Sequence, residues 1–249
     1  MLYVRYQNTK TEKIMKSRQA GFTLVEIAIV LVIIGLLLGG VLKGQELINS
    51  AKVKNFATDF RNIPLFIYGY QDKYKALPGD HNTASVQISG ATDATSPDAS
   101  GGTACPGASA TPNTHCRGNG VIDGVWTSTT MTDETQLFWQ HVRMAGLAAG
   151  PTSNASDLRP TNADGGFIGI ESGSAATGGA YISGMTPTYL VCTTGILGKY
   201  AKQLDTTLDD GNTATGSMRV VASNHTRTSA ALATSVVDDS TSFIVCMGL

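Results

Sequence analysis

The strongest constraint on this 249-residue chain is an apolar run near its N-terminus. Residues 22–42 comprise 21 amino acids, and Glu26 is the only charged one. At about 1.5 Å rise per residue, a helix of this length is roughly 31 Å long, enough to cross the hydrocarbon core of a bilayer. No proline follows until Pro64, so the helix is predicted to continue out of the membrane into the soluble part of the chain.

Beyond Leu42 the apolar pattern becomes one-sided. Apolar residues recur at steps of three and four with charged residues between them, which predicts a helix with one buried stripe. The stripe keeps its phase on both sides of Pro64, so a bend rather than an end is expected there. Residues 22–76 are therefore predicted to form one long helix, with a membrane half at 22–42 and an amphipathic half whose stripe is Val53, Phe56, Phe60, Ile63, Ile67, Tyr70 and Tyr74.

Glu26 places a carboxylate in the first turn of the predicted membrane span, where a charge costs up to about 3 kcal/mol. In one interpretation it is solvated at the headgroup boundary. In the other, cleavage after Gly21 frees the amine of Phe22, and the Glu26 carboxylate of one subunit neutralises the Phe22 amine of its neighbour. A carboxylate is also favourable at the positive N-terminal end of its own helix.

These residues resemble the class III signal of type IV pilins and type II secretion pseudopilins. A basic leader, residues 16–21, ends in a glycine, and Phe22-Thr23-Leu24-Val25-Glu26 opens the apolar run. The resemblance implies that a prepilin peptidase cuts after Gly21 and methylates the amine of Phe22, and that Glu26 guides subunit docking. A start at Met15 would give a seven-residue leader, closer to the short leaders of the family than the 21 residues counted from Met1.

The resemblance also implies a fold, partners and a location. The expected fold class is α+β, with the long helix packed against a small antiparallel β-sheet head that carries long loops. The leader would be residues 1–21 and the head residues 77–249. The implied partners are the prepilin peptidase, the membrane, other copies of the chain, other pilins or pseudopilins, and the inner-membrane assembly platform.

The basic leader ahead of the apolar run places the N-terminus in the cytoplasm. We therefore expect a single-pass precursor in a bacterial inner membrane with its head in the periplasm, and then a subunit of a pilus or pseudopilus fibre. An ordinary signal peptide is the competing interpretation, but it would need a shorter apolar region closed by an A-x-A-like site. The large, loop-rich head favours a minor or specialised subunit, while the choice between pilus, competence and secretion systems stays open.

Charge and motifs limit the other functions. Removal of the leader's five basic residues and one acidic residue leaves 13 basic and 18 acidic residues, a net charge of −5. This balance argues against a nucleic-acid-binding surface, and no nucleic acid partner is expected. The sequence lacks nucleophile-elbow, zinc-protease and phosphate-loop motifs, so we predict no catalytic residues and no enzyme. The alternative is a membrane-anchored extracytoplasmic binding or enzymatic domain that uses a prepilin-like export signal.

Four cysteines in an exported chain indicate two disulfides, for which three pairings are possible. Cys105 and Cys116 bracket a loop rich in Pro, Gly, Ser and Thr, whereas Cys192 and Cys246 lie in two β-like runs, so local pairing is favoured. A zinc site is the alternative, but the sequence has no C-x-x-C and no paired histidines. A Cys192–Cys246 bond would resemble the C-terminal disulfide loop of many pilins.

In the head, Leu77-Pro78-Gly79-Asp80 is predicted to end the long helix. Residues 81–120 hold few large apolar side chains and predict a surface loop that buries little. Asn119 and Asp123 could offer oxygen ligands to calcium, but a turn is favoured, and no metal or cofactor is predicted.

Two shorter helices and five strands are predicted in the rest of the head. The first helix follows Thr132 as its N-cap and carries His141, which is expected to be structural rather than catalytic. The second helix runs from Ile196 to Leu208. Strands are predicted at 167–170, 180–182, 188–192, 217–222 and 242–247.

Overall fold

The computed structural model describes residues 21–94, 118–153, 157–173 and 179–249. The chain divides into two compact units, Met1–Leu47 and Ile48–Leu249, and the first helix begins in one and continues in the other. That helix does not end at Pro64, and it stops two residues before the predicted position. In chain order the elements are α1 Leu24–Tyr74, α2 Ala84–Gln87, α3 Glu134–Met144, β1 Ile168–Ser172, β2 Tyr189–Leu197, α4 Gly198–Leu208, β3 Met218–Ala222 and β4 Ser242–Gly248.

The second unit contains a four-stranded antiparallel sheet in the order β1-β2-β4-β3. Cys192 of β2 lies directly opposite Cys246 of β4, and a disulfide joins them. The bond therefore links the two central strands, which are two of the runs that the sequence predicted to be β. The other predicted pair, Cys105 and Cys116, lies outside the described residues.

One face of this sheet packs against helices. Its apolar side chains form a single core with the amphipathic half of α1 and with parts of α3 and α4. Burial of a side chain of this kind contributes about 1.5–3 kcal/mol, so this layer supplies most of the apolar stabilisation of the unit. The predicted α+β architecture is confirmed. The core includes Val53, Phe56, Phe60, Ile63 and Ile67 from α1 and Ile170, Val191, Val220 and Val245 from the strands.

The opposite face of the sheet is covered by loops. Trp126, Tyr181, Ile182 and Met185 pack there around the Cys192–Cys246 disulfide. The prediction of a strand at 180–182 is therefore wrong. The Tyr181 carbonyl accepts a hydrogen bond from the Thr228 amide at 3.0 Å, within a loop whose apolar side chains lie on the sheet rather than in it.

The prediction that a helix begins at Ile196 is also wrong. Ile196 and Leu197 belong to β2, where they pair with Phe243 and Ser242 of β4 after a shift in register. Gly195 adopts φ +76° at this shift, a left-handed conformation that glycine takes at little cost. The strand thus resumes its pairing after an irregularity, and α4 starts only at Gly198.

The N-cap of α3 differs from the predicted one by a single residue. Asp133, not Thr132, is the N-cap, and its side chain makes no capping hydrogen bond. Its carboxylate instead accepts a hydrogen bond from the hydroxyl of Ser128. The Asp133 side chain, which could otherwise cap the helix, therefore bonds to the preceding turn.

The segment that follows α1 is buried far more than predicted. Within 81–94, a short helix forms and its small side chains pack beside Tyr70, so the expected surface loop is wrong for these residues. Small residues bury little area each, but they allow the backbone to approach the helices closely. The residues at most 7% exposed are His81, Ala84, Ile88, Ala91 and Ala94.

His141 of α3 holds three segments together from a fully buried position. Its Nδ1 accepts a hydrogen bond from the Gly79 amide at 3.0 Å, which leaves Nε2–H to donate to the Thr92 carbonyl at 2.8 Å. The ring also stacks on Tyr70 of α1, whose hydroxyl bonds to His81 Nδ1 at 2.7 Å. Burial lowers the pKa of His141 to about 4, so the ring is neutral at physiological pH.

We predict that His141 makes the fold sensitive to acid. The unfolded chain takes up a proton here below about pH 6.5 while the folded chain resists it down to about pH 4, so stability from this residue is lost as the pH falls through that window. At about 1.4 kcal/mol per pH unit, the loss is about 3 kcal/mol. Denaturant unfolding in detergent at pH 7 and pH 4.5 should show a smaller acid loss for His141→Gln than for the unmodified chain.

The acid loss of His141→Gln must be compared with that of the unmodified chain, because other buried groups make the fold more stable as the pH falls. Burial raises the pKa of Asp80 to about 6 and that of Glu134 to about 10, and such groups favour the folded state as the pH falls. An equal change in unfolding free energy for both chains would mean that His141 is not the source of the acid sensitivity.

Candidate processing and assembly site

Gly21 and Phe22 lie immediately before α1 and are exposed, Phe22 by 82%. Among the described residues, nothing lies within 4 Å of a Cβ atom built on Gly21. Packing against the described part of the chain therefore does not require a glycine at this position. Recognition by an enzyme that acts on the chain would be a separate reason for a small residue.

Thr23 and Glu26 form a reciprocal capping box at the start of α1. The Glu26 amide donates to Thr23 Oγ1 at 3.2 Å, and Glu26 Oε2 accepts from the Thr23 amide at 2.8 Å. The Thr23 hydroxyl also lies 2.8 Å from the same Oε2. Such an arrangement satisfies amides that a helix N-terminus leaves without partners, and its T-x-x-E signature was visible in the sequence but not recognised there.

This box orients the Glu26 carboxylate without using all of it. Both hydrogen bonds from Thr23 end on Oε2, and Oε1 has no hydrogen-bond partner among the described residues. A carboxylate held in this way can accept a further donor, and a cationic one would neutralise its charge. The geometry thus fits the predicted docking role of Glu26, with the helix dipole as an additional favourable term.

The helix that follows exposes an unusual amount of apolar surface. Fifteen large apolar side chains between Phe22 and Leu42 are 46–87% exposed. Their removal from water is worth on the order of tens of kcal/mol in total. Among the described residues, α1 is the single helix long and apolar enough to cross a membrane.

Four glycines interrupt this apolar surface, and no contact with the described residues requires glycine at any of these positions. A Cβ atom on any of them would meet no described residue within 4 Å. They form two pairs four residues apart, so each pair lies on one face of the helix. Small residues at this spacing let another helix approach closely. The pairs are Gly35 with Gly39 and Gly40 with Gly44.

The loop predicted to be a turn or a calcium site is organised by Asp80, whose carboxylate accepts hydrogen bonds from the amides of Gly118 and Gly120. Asn119 donates from Nδ2 to Asp123 Oδ2 at 3.2 Å, and its Oδ1 accepts from the Val121 amide at 2.8 Å. These bonds fit the turn that the sequence favoured. They use both polar atoms of the Asn119 side chain.

The second unit also contains a cavity of about 530 Å³ beside α1 and α3. Asp59 lines it, and burial raises the pKa of this carboxyl to about 6. Arg143 lines it too, but its guanidinium donates to the carbonyls of Ala149 and Pro151. The remaining walls are largely apolar, with Phe66, Trp139 and Leu147 among them.

Comparison with known proteins agrees with the N-terminal geometry. Residues 16–42 match the family described as a prokaryotic N-terminal methylation motif, and this confirms the resemblance on which the site was predicted. The motif implies processing by a prepilin peptidase. Comparisons with curated proteins and with solved structures gave no match.

We predict that Gly21→Val blocks cleavage of the leader. A valine here disturbs no contact with the residues that the structure describes, so a loss of cleavage would report recognition by the peptidase. Intact-mass measurement on protein from cells that express the peptidase should find the leader retained. Gly44→Val is the matched control, because a Cβ there is equally unobstructed, and it should be cleaved normally. Normal cleavage of Gly21→Val would show that the cut lies elsewhere.

Proposed function

Since the chain carries the N-terminal methylation motif of prepilin-like proteins, we propose that it is a structural subunit of a type IV pilus or a type II secretion pseudopilus. Its precursor is anchored in the bacterial inner membrane by residues 22–42, with the head in the periplasm. Prepilin peptidase cleaves it after Gly21 and methylates the amine of Phe22. The inner-membrane assembly platform then adds it to a fibre with other pilin-like subunits.

The observation that carries this proposal is the exposed apolar surface of residues 22–42, which follows a single carboxylate, that of Glu26, held in a fixed orientation. A bilayer satisfies that surface in the precursor, and a bundle of like helices satisfies it in a fibre. The glycine pairs support close helix packing in such a bundle. Because contacts between unlike ends of identical subunits do not close, repeated addition generates an open filament.

Glu26 provides the register of this bundle. Cleavage after Gly21 replaces an amide with a charged amine on Phe22, and the Glu26 carboxylate of the adjacent subunit accepts it. Each group would be costly to bury alone in an apolar bundle, and pairing offsets the cost of both. The capping box keeps the carboxylate in place for this contact.

We also propose that the chain is not an enzyme. The polar side chains that line the cavity near α3 are those of Asp59, Asn62, Thr161 and Arg143, and the Arg143 guanidinium is bonded to backbone carbonyls. The described lining contains no histidine, cysteine or serine, the side chains that most often act as base or nucleophile in group transfer. A binding or catalytic domain on a prepilin-like anchor would require more convergent polar groups there.

The decisive variant is Glu26→Gln, because glutamine keeps the capping box and removes the charge. We expect it to be cleaved normally but to be depleted at least about tenfold from sheared fibres, since a buried amine without its counter-ion costs several kcal/mol. Glu46→Gln is the matched control. Glu46 is an exposed glutamate on the same helix that pairs with Lys43 at 2.6 Å, and its loss should leave assembly unchanged.

The fraction of the subunit that reaches the fibre is measured by immunoblots of sheared fibres and of membranes, each normalised to total subunit. Fibres that contain Glu26→Gln at the level of the unmodified chain would refute the charge pair. If Glu26→Ala failed while Glu26→Gln assembled, the helix cap rather than the charge would be the essential feature.

A further inference from the structure

Three carboxylates meet where α4 ends in the second unit. We call Asp205, Asp209 and Asp210 the acidic cluster. One oxygen from each lies within 4.8 Å of the other two. Calcium binds oxygen ligands at about 2.4 Å, so a single ion can bridge any two of these atoms, and a small side-chain movement would bring the third into contact. Magnesium, at about 2.1 Å, requires a tighter set.

Asp205 provides independent evidence that the acidic cluster binds a ligand. Its side chain is fully buried, and neither carboxylate oxygen has a hydrogen-bond partner in the described part of the chain. Whichever oxygen faces Asp209 and Asp210 is therefore unsatisfied. A buried carboxylate in this condition costs several kcal/mol unless a cation or a proton neutralises it.

No cationic side chain that the structure describes compensates the cluster. None of the ion pairs among the described residues involves Asp205, Asp209 or Asp210. Negative charge on the cluster is therefore not offset by a neighbouring cation within the described part of the chain.

Its position on the helix makes that charge still less favourable. The C-terminal end of a helix carries partial negative charge, where cationic rather than anionic side chains are stabilising. The last turn of α4 has no basic residue. Lys202, one turn earlier, pairs with Asp239 at 2.5 Å and donates to the Val237 carbonyl.

Arg219 is the other cation of this region, and backbone carbonyls occupy its guanidinium. Its Nη1 and Nη2 donate to the carbonyls of Ser183 and Gly184 at 2.9 and 3.0 Å, and its Nε donates to Gly216 at 3.4 Å. It contributes a modest favourable charge to Asp210. It is no counter-ion for Asp205.

The two outer carboxylates are oriented by the loop that leads to β3. Asp209 accepts from the Met218 amide at 2.8 Å and the Ser217 hydroxyl at 3.1 Å. Asp210 accepts from the Asn212 amide at 2.8 Å and the Thr215 hydroxyl at 2.7 Å. Carboxylate oxygens have two acceptor sites each, so these bonds hold the ligands in place and leave room for an ion.

We propose that the acidic cluster binds one divalent cation, and that this cation is calcium. The ion would fasten the end of α4 to the loop that enters β3 at the edge of the sheet. Carboxylate, carbonyl and water oxygens make up the ligand set that calcium prefers. This inference concerns the head alone and does not depend on the proposed assembly role.

The test measures thermal unfolding of the mature chain in detergent, first freed of metal with EDTA. Calcium at about 1 mM should raise the Tm by several degrees, in a concentration-dependent way that mass action requires, and magnesium should raise it less. Calorimetric titration should give one calcium ion per chain. Asp205→Asn should weaken calcium affinity at least about tenfold, because it removes one of three charged ligands.

Two further variants keep the test decisive. Asp210→Asn alters an exposed ligand, so it should fold even if Asp205→Asn does not, and it should also lose most of the calcium response. Asp72→Asn is the control, an exposed carboxylate on α1 that pairs with Lys75, and it should respond as the unmodified chain does.

The contrary results are equally clear. No calcium-dependent rise in Tm, or an equal rise in Asp210→Asn and Asp72→Asn, would overturn the proposal. An equal response to magnesium would overturn the assignment to calcium.

Discussion

The exposed apolar surface of residues 22–42 is the constraint on which the rest of the structure depends. No arrangement of that helix in water recovers the tens of kcal/mol that its fifteen large side chains represent. Only a bilayer or a bundle of similar helices does so. Under the proposed function, the chain occupies these two apolar environments in turn, and the carboxylate at the start of the helix governs the passage between them.

Glu26 can serve that passage because two requirements meet in it. Inside the chain it completes a capping box with Thr23, so the carboxylate is fixed before any partner arrives. Under the proposed function, it pairs between chains with an amine that proteolysis after Gly21 would create. An uncleaved precursor would lack that amine and keep its leader, which would hold it out of a fibre. Such a charge pair would link processing to assembly.

The head is held together by contacts of its own, and several of them are polar, unlike those expected of the apolar helix at residues 22–42. His141, Tyr70 and His81 join α1, α3 and the segment between them through buried hydrogen bonds. The Cys192–Cys246 disulfide joins the two central strands on the opposite face of the sheet. The acidic cluster at the end of α4 would add a third fastening.

Features set by local chemistry could be predicted from the sequence. The apolar run, the stripe from Val53 to Tyr74 and the strands around the two cysteines each follow from a repeating pattern. Features decided by tertiary contacts could not. Ile196 and Leu197 fit a helix by spacing, yet pairing with β4 holds them in a strand. Tyr181 and Ile182 have strand-forming side chains, but they cover the sheet as a loop.

The candidate sites also divide into features that the sequence predicts and features that only tertiary contacts decide. The roles predicted for Gly21, Phe22 and Glu26 came from the resemblance of residues 16–42 to a known export signal, whereas the role of Thr23 depends on the T-x-x-E pattern. The burial of His81 and of the alanines after it could not be anticipated, since small residues give no strong apolar signal. Asp205 has nothing in its sequence context to distinguish it from other polar helix residues, and what sets it apart is burial with no hydrogen-bond partner for either carboxylate oxygen among the described residues.

The most direct test of the central claim is a high-resolution reconstruction of the assembled fibre, combined with the mass of its subunit. The account predicts a polypeptide that begins at a methylated Phe22, with its amine within hydrogen-bond distance of Glu26 in an adjacent subunit. A fibre in which that carboxylate faces solvent or lipid, or a subunit that begins at any other residue, would contradict it.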